Sequence, residues 1–381
     1  MPGVCCGSPP ATCARAFPRR PERSLEDFLV NRFGAELYRT FFKDYTEKVW
    51  GVPCTQITAE WGAQRIKGVS VGAALRHAVA RRLGRRQGAR HTSLIEQFLY
   101  PERGPGQLWQ EVARRVIAGG GELHRGQRVA TLRHRAGRIM SVESVDAEGV
   151  SRTFPADHVI STMAVKDLVA GLDPQPPADL AAIAAALPYR SFITVGMLLS
   201  RMRPVADSQS RHADQRPPDN WIYVQDPGVR LGRIQVFNNW SPALVADDTR
   251  IWLGLEYFCD EGDDLWQLDD AAMQELAIGE LERIGLASRD DLLDATVVRV
   301  PKTYPGYFGA YAGFPTLRAW LDGLSNLYLV GRNGMHRYNN QDHSMLTAKL
   351  AVEAILSGNG DKAAIWAVNI DDDYHEESSA S

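Results

Sequence analysis

Residues 326–356 contain the pattern that most restricts the fold of this chain, an apolar strand followed by a glycine-containing loop and a helix. The apolar run 326–330 predicts a buried strand that ends at Gly331, and a helix is predicted over about 343–356. The first turn of that helix carries three polar residues: Asp342, His343 and Ser344. A helix N-terminus offers unpaired N–H donors and a positive dipole end, which suit a phosphate or an electron-rich cofactor edge. An ordinary strand-to-helix turn with asparagine as a cap explains the same residues.

Closely spaced apolar runs in the middle of the chain predict a mixed or antiparallel sheet. The predicted strands span residues 122–132, 139–145, 192–199, 221–225, 233–237, 251–258 and 296–300. Helices are predicted over 106–118 and over 269–285, the latter with Ala272, Leu276 and Leu281 facing inward. Ser24 and Asp27 form a capping-box pattern at the start of an earlier helix. These elements predict an α/β chain with mixed sheets.

Composition excludes several classes of protein. No apolar stretch approaches the roughly 18 residues that a membrane-spanning helix needs. The five cysteines include no C-x-x-C pair, which favours a reducing cytoplasm and argues against a cysteine-rich zinc site. No set of residues with metal-ligand spacing stands out, so no metal is expected. The first 23 residues lack the continuous apolar region of a signal peptide, so we expect a cytoplasmic protein.

Positive charge is concentrated at the front of the chain. Residues 1–140 hold 24 lysines and arginines against 11 acidic residues, although the whole chain carries a net charge of only -3. Residues 61–95 contain eight basic residues and no acidic one, and Leu75, Val79 and Leu83 make this stretch an amphipathic helix. A solvated helix face explains it, as does peripheral contact with a membrane surface or an anionic substrate. Aromatic stacking residues are absent from this stretch after Trp61, so we expect no nucleic-acid partner.

Several long motifs resemble one family. The segment 331–344, of the form GR-NG-x-x-x-Y-N-N-Q-D-H-S, resembles the C-terminal FAD-contacting segment of amine-oxidase-like flavoproteins. It is especially similar to that of eukaryotic-type UDP-galactopyranose mutases and of bacterial protoporphyrinogen-oxidase-like proteins. Three further stretches agree: TEKVWGVPCTQITAEWGAQRIKG at 46–68, GPGQLWQEVARRV at 104–116 and NWIYVQDPGVRLGRIQVFNNWSP at 220–242. Together they extend the resemblance over most of residues 24–377.

The resemblance implies a binding site for a small anionic substrate such as a UDP-sugar. In the mutases, two arginines and two tyrosines clamp the diphosphate of a nucleotide sugar, and the matching positions here are Arg65, Arg233, Tyr304 and Tyr338. Planar guanidinium groups pair bidentately with phosphate oxygens, and tyrosine hydroxyls complete the set of donors. The resemblance also places two aromatic residues near the sugar and the nucleotide: Trp221 and Tyr223. For each residue alone, a surface arginine or a core aromatic is the simpler explanation.

The resemblance also implies an FAD site. The segment that the family places against the isoalloxazine ring and ribityl chain matches six residues: Gly331, Arg332, Asn340, Gln341, Asp342 and Ser344. Val129 lies where related flavoproteins use a strand's backbone to hold adenine, although a plain core strand accounts for it as well. His343 is interpreted as a capping or packing residue. In such a protein the flavin carries the difficult chemistry and the chain orients the substrate, so no catalytic side chain is assigned.

The dinucleotide-binding motif G-x-G-x-x-G, expected after an N-terminal strand in such a family, does not occur in the sequence. Its nearest imitation, at Gly104, Pro105 and Gly106, has Trp109 at the third glycine position. We therefore expect a flavoprotein whose first nucleotide-binding portion has been lost through a misplaced start, a frameshift or a truncation.

The predicted fold class is α/β with mixed sheets, combining an incomplete FAD-binding domain of the glutathione-reductase type with a mixed-sheet and helical substrate domain. The expected segments are a disordered N-terminus (1–23), a helical part of the substrate domain (24–100), part of the FAD-binding domain (101–170), the mixed-sheet substrate domain (171–310), the C-terminal FAD-binding strand, loop and helix (311–358) and an acidic tail (359–381).

Three functions remain open from the sequence. The first is an FAD-dependent mutase that acts on a nucleotide diphosphate sugar without net oxidation. The second is an FAD-dependent oxidoreductase that removes hydride from an amine, a porphyrinogen or a polyene. The third is a non-catalytic remnant or one half of a split protein. A flavin band in the absorbance spectrum of the purified protein distinguishes the first two from the third.

Overall fold

A computed structural model describes residues 21–65, 99–203 and 216–368, apart from the side chains of residues 63–65. The amphipathic basic helix predicted around Leu75, the first twenty residues and residues 369–381 lie outside this described part. None of the described helices is long and apolar enough to cross a membrane. The chain divides into two compact units, Met1–Phe98 with Asp372–Ser381, and Leu99–Asp371.

The first unit is helical where it is described. Its elements are α1 (Leu25–Phe33), α2 (Ala35–Leu37), a π-helical turn (Tyr38–Lys43), α3 (Asp44–Trp50) and α4 (Ala59–Arg65). The predicted capping box is confirmed, because the Asp27 amide donates to Ser24 Oγ at 3.2 Å and the Ser24 amide donates to Asp27 Oδ2 at 3.1 Å. Leu25, Phe28 and Trp50 are buried in the small core of this unit.

The second unit contains eleven strands, nine α-helices and three short 3-10 helices (Pro242–Leu244, Arg289–Asp291 and Gly309–Gly313) within its described residues. The strands are β1 (Arg128–Arg135), β2 (Arg138–Val145), β3 (Ser151–Pro155), β4 (Val159–Ser161), β5 (Leu172–Asp173), β6 (Tyr189–Leu199), β7 (Trp221–Tyr223), β8 (Arg233–Val236), β9 (Ile251–Cys259), β10 (Leu292–Pro305) and β11 (Leu327–Leu329). The helices are α5 (Pro105–Ala118), α6 (Val165–Ala170), α7 (Ala178–Ala185), α8 (Phe237–Trp240), α9 (Asp270–Arg283), α10 (Phe314–Asp322), α11 (Gly331–Gly334), α12 (Gln341–Ser357) and α13 (Ala363–Ala367).

Five strands form an antiparallel sheet in the order β10-β6-β9-β8-β7. The buried side chains of β6 and β9, including Ile193 and Leu255, share one hydrophobic core with Met273 and Leu281 of α9. A helix that covers one face of a sheet buries apolar area from both elements, which is the main stabilising contribution here. The closely spaced apolar runs predict a mixed or antiparallel sheet, and this one is antiparallel throughout.

A separate core is built around smaller sheets. Strands β4 and β11 pair in parallel, and β3-β2-β1-β5 form a four-stranded sheet. Asn326, only 1% exposed, joins the two sheets. Its Nδ2 donates to the Ile139 carbonyl and to the Asp157 carbonyl, both at 2.9 Å, and its Oδ1 accepts from the Ile139 amide at 2.8 Å. One buried side chain thus satisfies three backbone groups where β11 begins.

A bulge in β10 sets the position of Tyr304. Val300 pairs with Phe192 and Tyr304 pairs with Arg190, so three residues of β10 lie opposite Ser191 alone. Within the bulge, Lys302 has a left-handed φ of 52°, and its amide donates to Ser191 Oγ at 3.0 Å. Bulges of this kind change the direction in which the following side chain points and often occur beside functional sites.

Three features differ from the sequence-based expectations. Ala272 is exposed and Leu276 only partly buried, because α9 turns Met273, Ala277 and Leu281 inward instead. Residues 122–127 form no strand, and β1 begins at Arg128. Residues 363–367, placed by the sequence in an acidic tail, form α13, whose Trp366 is 3% exposed and packs in the core around β11.

The junction between β11 and α12 depends on one buried hydroxyl. Thr347, which has no exposed surface, accepts from the Gly331 amide at 3.1 Å and donates to the Ser344 carbonyl at 2.8 Å. Gly331 has a φ of 74°, so its conformation suits glycine, and its buried amide has no other acceptor in the described part of the chain.

Thr347→Val is expected to lower the free energy of unfolding by about 2 kcal/mol, because the Gly331 amide would stay buried without an acceptor. Urea denaturation measures the change. Thr347→Ser keeps the hydroxyl and is the matched control, with a loss of about 1 kcal/mol or less for the missing methyl. Equal losses in the two variants would show that the hydrogen bond contributes little.

Candidate functional site

Five side chains from separate elements meet at one place, which we call the arginine-tyrosine cluster: Trp221, Arg233, Tyr304, Arg332 and Tyr338. Arg233 Nη2 donates to the Tyr304 hydroxyl at 2.9 Å. The rings of Tyr304 and Tyr338 are nearly parallel, with centroids 6.2 Å apart and an angle of 8° between them. The Arg233 guanidinium carbon also lies 5.1 Å from the Trp221 ring centroid. Four of the six predicted substrate residues therefore lie in one cluster.

Strand order places Trp221 beside Arg233, whereas Tyr304 comes from the end of β10, after the bulge, at the opposite edge of the sheet. β7 supplies Trp221, β8 supplies Arg233 and the end of β10 supplies Tyr304, all within the five-stranded sheet. The loop between α11 and α12 supplies Tyr338, whose backbone amide donates to the Tyr307 hydroxyl at 2.6 Å. The cluster thus combines the antiparallel sheet with the strand-to-helix segment that the sequence singled out.

Arg332 belongs to the same cluster. Its guanidinium carbon lies 4.6 Å from the Tyr338 ring centroid and 5.2 Å from that of Tyr304. Its Nε donates to the Asn339 carbonyl at 2.9 Å. No carboxylate of the described residues pairs with it, so its charge is available to an anionic ligand. The sequence assigned Arg332 to the cofactor, whereas the structure places it against both tyrosines of the proposed substrate site.

A buried carboxylate, which the sequence did not point to, lies behind Arg233. Glu256 is the cross-strand partner of Arg233 and is 3% exposed. Its Oε2 forms an ion pair with Arg233 Nη2, and its Oε1 accepts from Gln235 Nε2 at 2.6 Å. Because the acid stands 23 positions away in the sequence on another strand, only the strand register reveals the pairing.

Two further aromatic residues continue from Trp221. The Trp240 ring lies edge-on to Trp221 with centroids 6.0 Å apart, and Tyr100 stacks on Trp240 at 5.2 Å. Burial raises the pKa of Tyr100. Aromatic residues occur throughout the chain, so no sequence pattern selects these two. They extend the aromatic wall on one side of the cluster.

Three other predicted residues lie on separate elements outside the cluster: Tyr223, Val129 and Arg65. Tyr223 is 54% exposed on β7 and pairs by register with Arg233. Val129 lies in β1 opposite Ser144 and packs at the edge of the core around β11. Arg65 ends α4 in the first unit, and its side chain lies outside the described part of the chain. Its predicted role as a diphosphate ligand remains a prediction.

The start of α12 has the properties of an anion site. Asn340 is its N-cap, and the amides of Gln341 and Asp342 make no hydrogen bond within the described residues. First-turn amides have no partner inside a helix, and the helix dipole makes this end positive. The Ser344 hydroxyl donates to the Asn340 carbonyl at 2.9 Å, so it supports the helix end.

A buried acceptor lies on α11, the short helix that precedes α12. Asn333 Oδ1 is shielded from solvent and has no hydrogen-bond partner in the described part of the chain. Such an atom loses its hydration without compensation unless a ligand donates to it. Together with the first-turn amides of α12, it fits the polar edge of a flavin, which offers both donors and acceptors.

His343 caps the helix. Its Nδ1 accepts from the Asn340 amide at 3.2 Å, and the side chain is buried. Because the ring nitrogen facing the backbone is occupied as an acceptor, the residue stabilises the helix start. The interpretation of His343 as a capping residue agrees with this geometry.

His336 is the most unusual titratable group near the cluster. It is 1% exposed, with a left-handed φ of 45°, and its ring stacks between Tyr311 and the edge of Tyr189. Nε2 donates to the Gly306 carbonyl at 3.0 Å, and Nδ1 has no partner within the described residues. Burial, the largest cause, and the charge of Lys166 together lower the pKa of His336 to about 4, against the opposing effect of the hydrogen bond to the Gly306 carbonyl.

The stability of the protein is expected to fall as the pH drops from about 6.5 to about 4. The unfolded chain protonates His336 near its ordinary pKa of about 6.5, whereas the folded chain resists protonation until about 4. The unfolded state therefore gains protons first, which costs about 3 kcal/mol of folding free energy at the acid end. Denaturant titrations at several pH values measure this slope.

His336→Gln retains a donor for the Gly306 carbonyl but does not titrate, so its slope in this window should be smaller by the same amount. The exposed His158→Gln is the matched control and should leave the slope unchanged. Parallel acid losses in the wild-type chain and His336→Gln would assign the effect to other groups.

Solved structures share this architecture. The chain is similar to a reduced UDP-galactopyranose mutase, with 20% sequence identity and a TM-score of 0.68 over 95% of this chain and 74% of that one. It is also similar to a protein from Exiguobacterium sp. 255-15 that is described as a protoporphyrinogen oxidase. The two share 16% identity and a TM-score of 0.56 over 87% of this chain and 68% of the other. At these identities the likeness establishes the fold alone.

The family follows from a match over most of the sequence. The family model described as flavin containing amine oxidoreductase matches residues 18–356, so the chain belongs to that family. FAD is its cofactor. The predicted α/β fold with mixed sheets and the resemblance to amine-oxidase-like flavoproteins are both confirmed.

Proposed function

We propose that this chain binds a nucleotide diphosphate sugar and acts as a flavin-dependent mutase. The observation that carries the proposal is the convergence of Arg233, Tyr304, Arg332 and Tyr338 in one cluster. Two guanidinium groups and two phenols provide charged and neutral donors for phosphate oxygens, which is the set of groups that a diphosphate requires. The similarity to a mutase structure supports the same substrate class.

Each residue of the arginine-tyrosine cluster, and Tyr223 beside it on β7, has a distinct role in this proposal. Arg233 and Tyr304, already joined by a hydrogen bond, would bind one phosphate, and Arg332 with Tyr338 would bind the other. Trp221 and Tyr223 would hold the sugar and nucleotide through apolar ring contacts. The partly buried setting would exclude water from the sugar's anomeric centre.

The residues for the cofactor lie next to these groups in the sequence. Gly331, Asn340, Gln341 and Asp342 would hold the flavin edge, with Asn333 Oδ1 as an acceptor for a flavin donor. When bound and reduced, FAD supplies the nucleophilic centre for sugar-ring rearrangement. Val129 would hold the adenine through its backbone, and Ser344 would stabilise the helix end.

Ligand binding and product analysis test the proposal. Tyr304→Phe keeps the ring stack on Tyr338 but removes the hydroxyl that accepts from Arg233, so UDP affinity should fall about tenfold or more. Tyr311→Phe, a change in an aromatic stack outside the cluster, is the matched control. Isothermal titration calorimetry measures both, and unchanged affinity in Tyr304→Phe would contradict the proposed site.

The reaction itself distinguishes the proposed mutase from an oxidoreductase of the same family. Reduced holoprotein given UDP-galactopyranose should return the furanose isomer and consume no electron acceptor. Steady consumption of oxygen with an amine, porphyrinogen or polyene would favour the oxidoreductase alternative. Absence of a flavin absorbance band after addition of FAD would favour a non-catalytic protein.

A further inference from the structure

Glu256 gives the arginine-tyrosine cluster an unusual charge. Its carboxylate is buried against the guanidinium of Arg233, whose side chain is 11% exposed, so the pair is close to neutral. Gln235 fixes the second carboxylate oxygen through a 2.6 Å hydrogen bond. Arg332 is then the only cation of the cluster that no carboxylate of the described residues neutralises. The cluster therefore carries about one net positive charge.

The ion pair also controls how a ligand can meet Arg233. Two buried charges stay together because separating them would leave each one desolvated and unpaired. An anion that approaches the Arg233 guanidinium consequently also approaches the Glu256 carboxylate, and like charges repel strongly where water is scarce. The penalty rises with each additional negative charge that the ligand places near the pair.

We infer that Glu256 is a specificity-determining residue that favours a phosphate group esterified on both sides over a terminal phosphate. In an intact nucleotide sugar each phosphate carries one negative charge, whereas free nucleoside diphosphate ends in a phosphate with up to two. Glu256 orients Arg233 as a hydrogen-bond donor. It also lowers the positive potential that would otherwise stabilise the second negative charge of a terminal phosphate. This inference rests on the proposed function for the identity of the diphosphate ligand.

The substitution Glu256→Gln tests the inference. The new amide oxygen can accept from Arg233, and the new NH2 can donate to the Gln235 oxygen once that amide turns over, while the negative charge is lost. We expect UDP to bind about tenfold more tightly relative to UDP-galactopyranose than it does in the wild-type chain. Calorimetric titrations of both nucleotides with holoprotein at one ionic strength measure this ratio. An unchanged ratio would overturn the inference.

A matched control separates the charge effect from a general loss of stability. Asp291 is 5% exposed and pairs with Arg201 at 2.9 Å outside the cluster, so Asp291→Asn also removes the charge of a buried carboxylate. Both variants should have lower melting temperatures, but only Glu256→Gln should change the nucleotide ratio. A ratio that changes equally in Asp291→Asn would overturn the inference.

Inorganic pyrophosphate keeps the test independent of the proposed substrate. If the wild-type chain binds neither nucleotide, the proposed function fails, yet Glu256→Gln should still bind pyrophosphate about tenfold more tightly than the wild-type chain. If pyrophosphate binding is equally weak in both chains, the inference about Glu256 fails as well. Nucleotide binding with no effect of Glu256→Gln would leave the proposed function intact and overturn this inference alone.

Discussion

Gly334→Ala is expected to lower the free energy of unfolding by about 3 kcal/mol and to prevent retention of FAD. A Cβ at this position would lie 2.4 Å from the Ser161 carbonyl oxygen and 3.2 Å from the Thr162 Cα. Both contacts are with backbone atoms, so no side chain can rotate away to relieve them. Either α11 or the end of β4 must move.

Movement at this position has consequences for the cofactor site. The Val330 amide donates to the same Ser161 carbonyl at 3.0 Å, in line with the parallel pairing of β4 with β11. A displacement of α11 would therefore shift the strand end, Asn333 and the loop that leads to the first turn of α12. Flavin absorbance after gel filtration measures retention, and urea denaturation measures stability.

Gly279→Ala is the matched control because nothing lies within 4 Å of a Cβ at that helical position. It should stabilise the chain by up to about 1 kcal/mol, since alanine favours a helix more than glycine does. If Gly334→Ala were as stable as the wild-type chain and retained FAD, the close packing of α11 against β4 would not matter for the fold.

Sequence patterns predicted the fold where local chemistry determines it. Apolar runs located the strands of the five-stranded sheet, and Ser24 with Asp27 marked the start of α1, because each of these signals lies within a few consecutive residues. The predicted strand 296–300 stops short of the end of β10, which continues to Pro305. Residues 301–303 form a bulge with left-handed Lys302, a conformation that no local pattern indicates.

The candidate site was also predicted only in part from the sequence. The resemblance selected Arg233, Tyr304 and Tyr338, and the structure brings them together, although their roles remain predictions. Glu256 could not be selected from the sequence, because a single acid in an apolar strand does not reveal which residue lies opposite. Arg332 was assigned to the cofactor from its neighbours in the sequence, whereas its contact with two tyrosine rings depends on the loop conformation.

Arg233→Met should destabilise the chain by about 3 to 5 kcal/mol, because it leaves the Glu256 carboxylate buried without its counter-charge. The Arg233 guanidinium carbon lies 5.1 Å from the Trp221 ring centroid and 4.9 Å from that of Phe258. Methionine keeps an unbranched apolar side chain at this position, so the loss of charge dominates. Urea denaturation of the variant measures the loss directly.

The double variant Arg233→Met with Glu256→Gln should recover most of that loss, because no charge then remains buried and Gln235 keeps a hydrogen-bond partner. The coupling energy from the full cycle of four proteins isolates the interaction between the two side chains. A double variant as unstable as Arg233→Met would mean that the arginine acts mainly through packing. Recovery of stability without recovery of UDP binding would instead separate the two roles of Arg233, since the ion pair supports the sheet while the guanidinium itself binds the ligand.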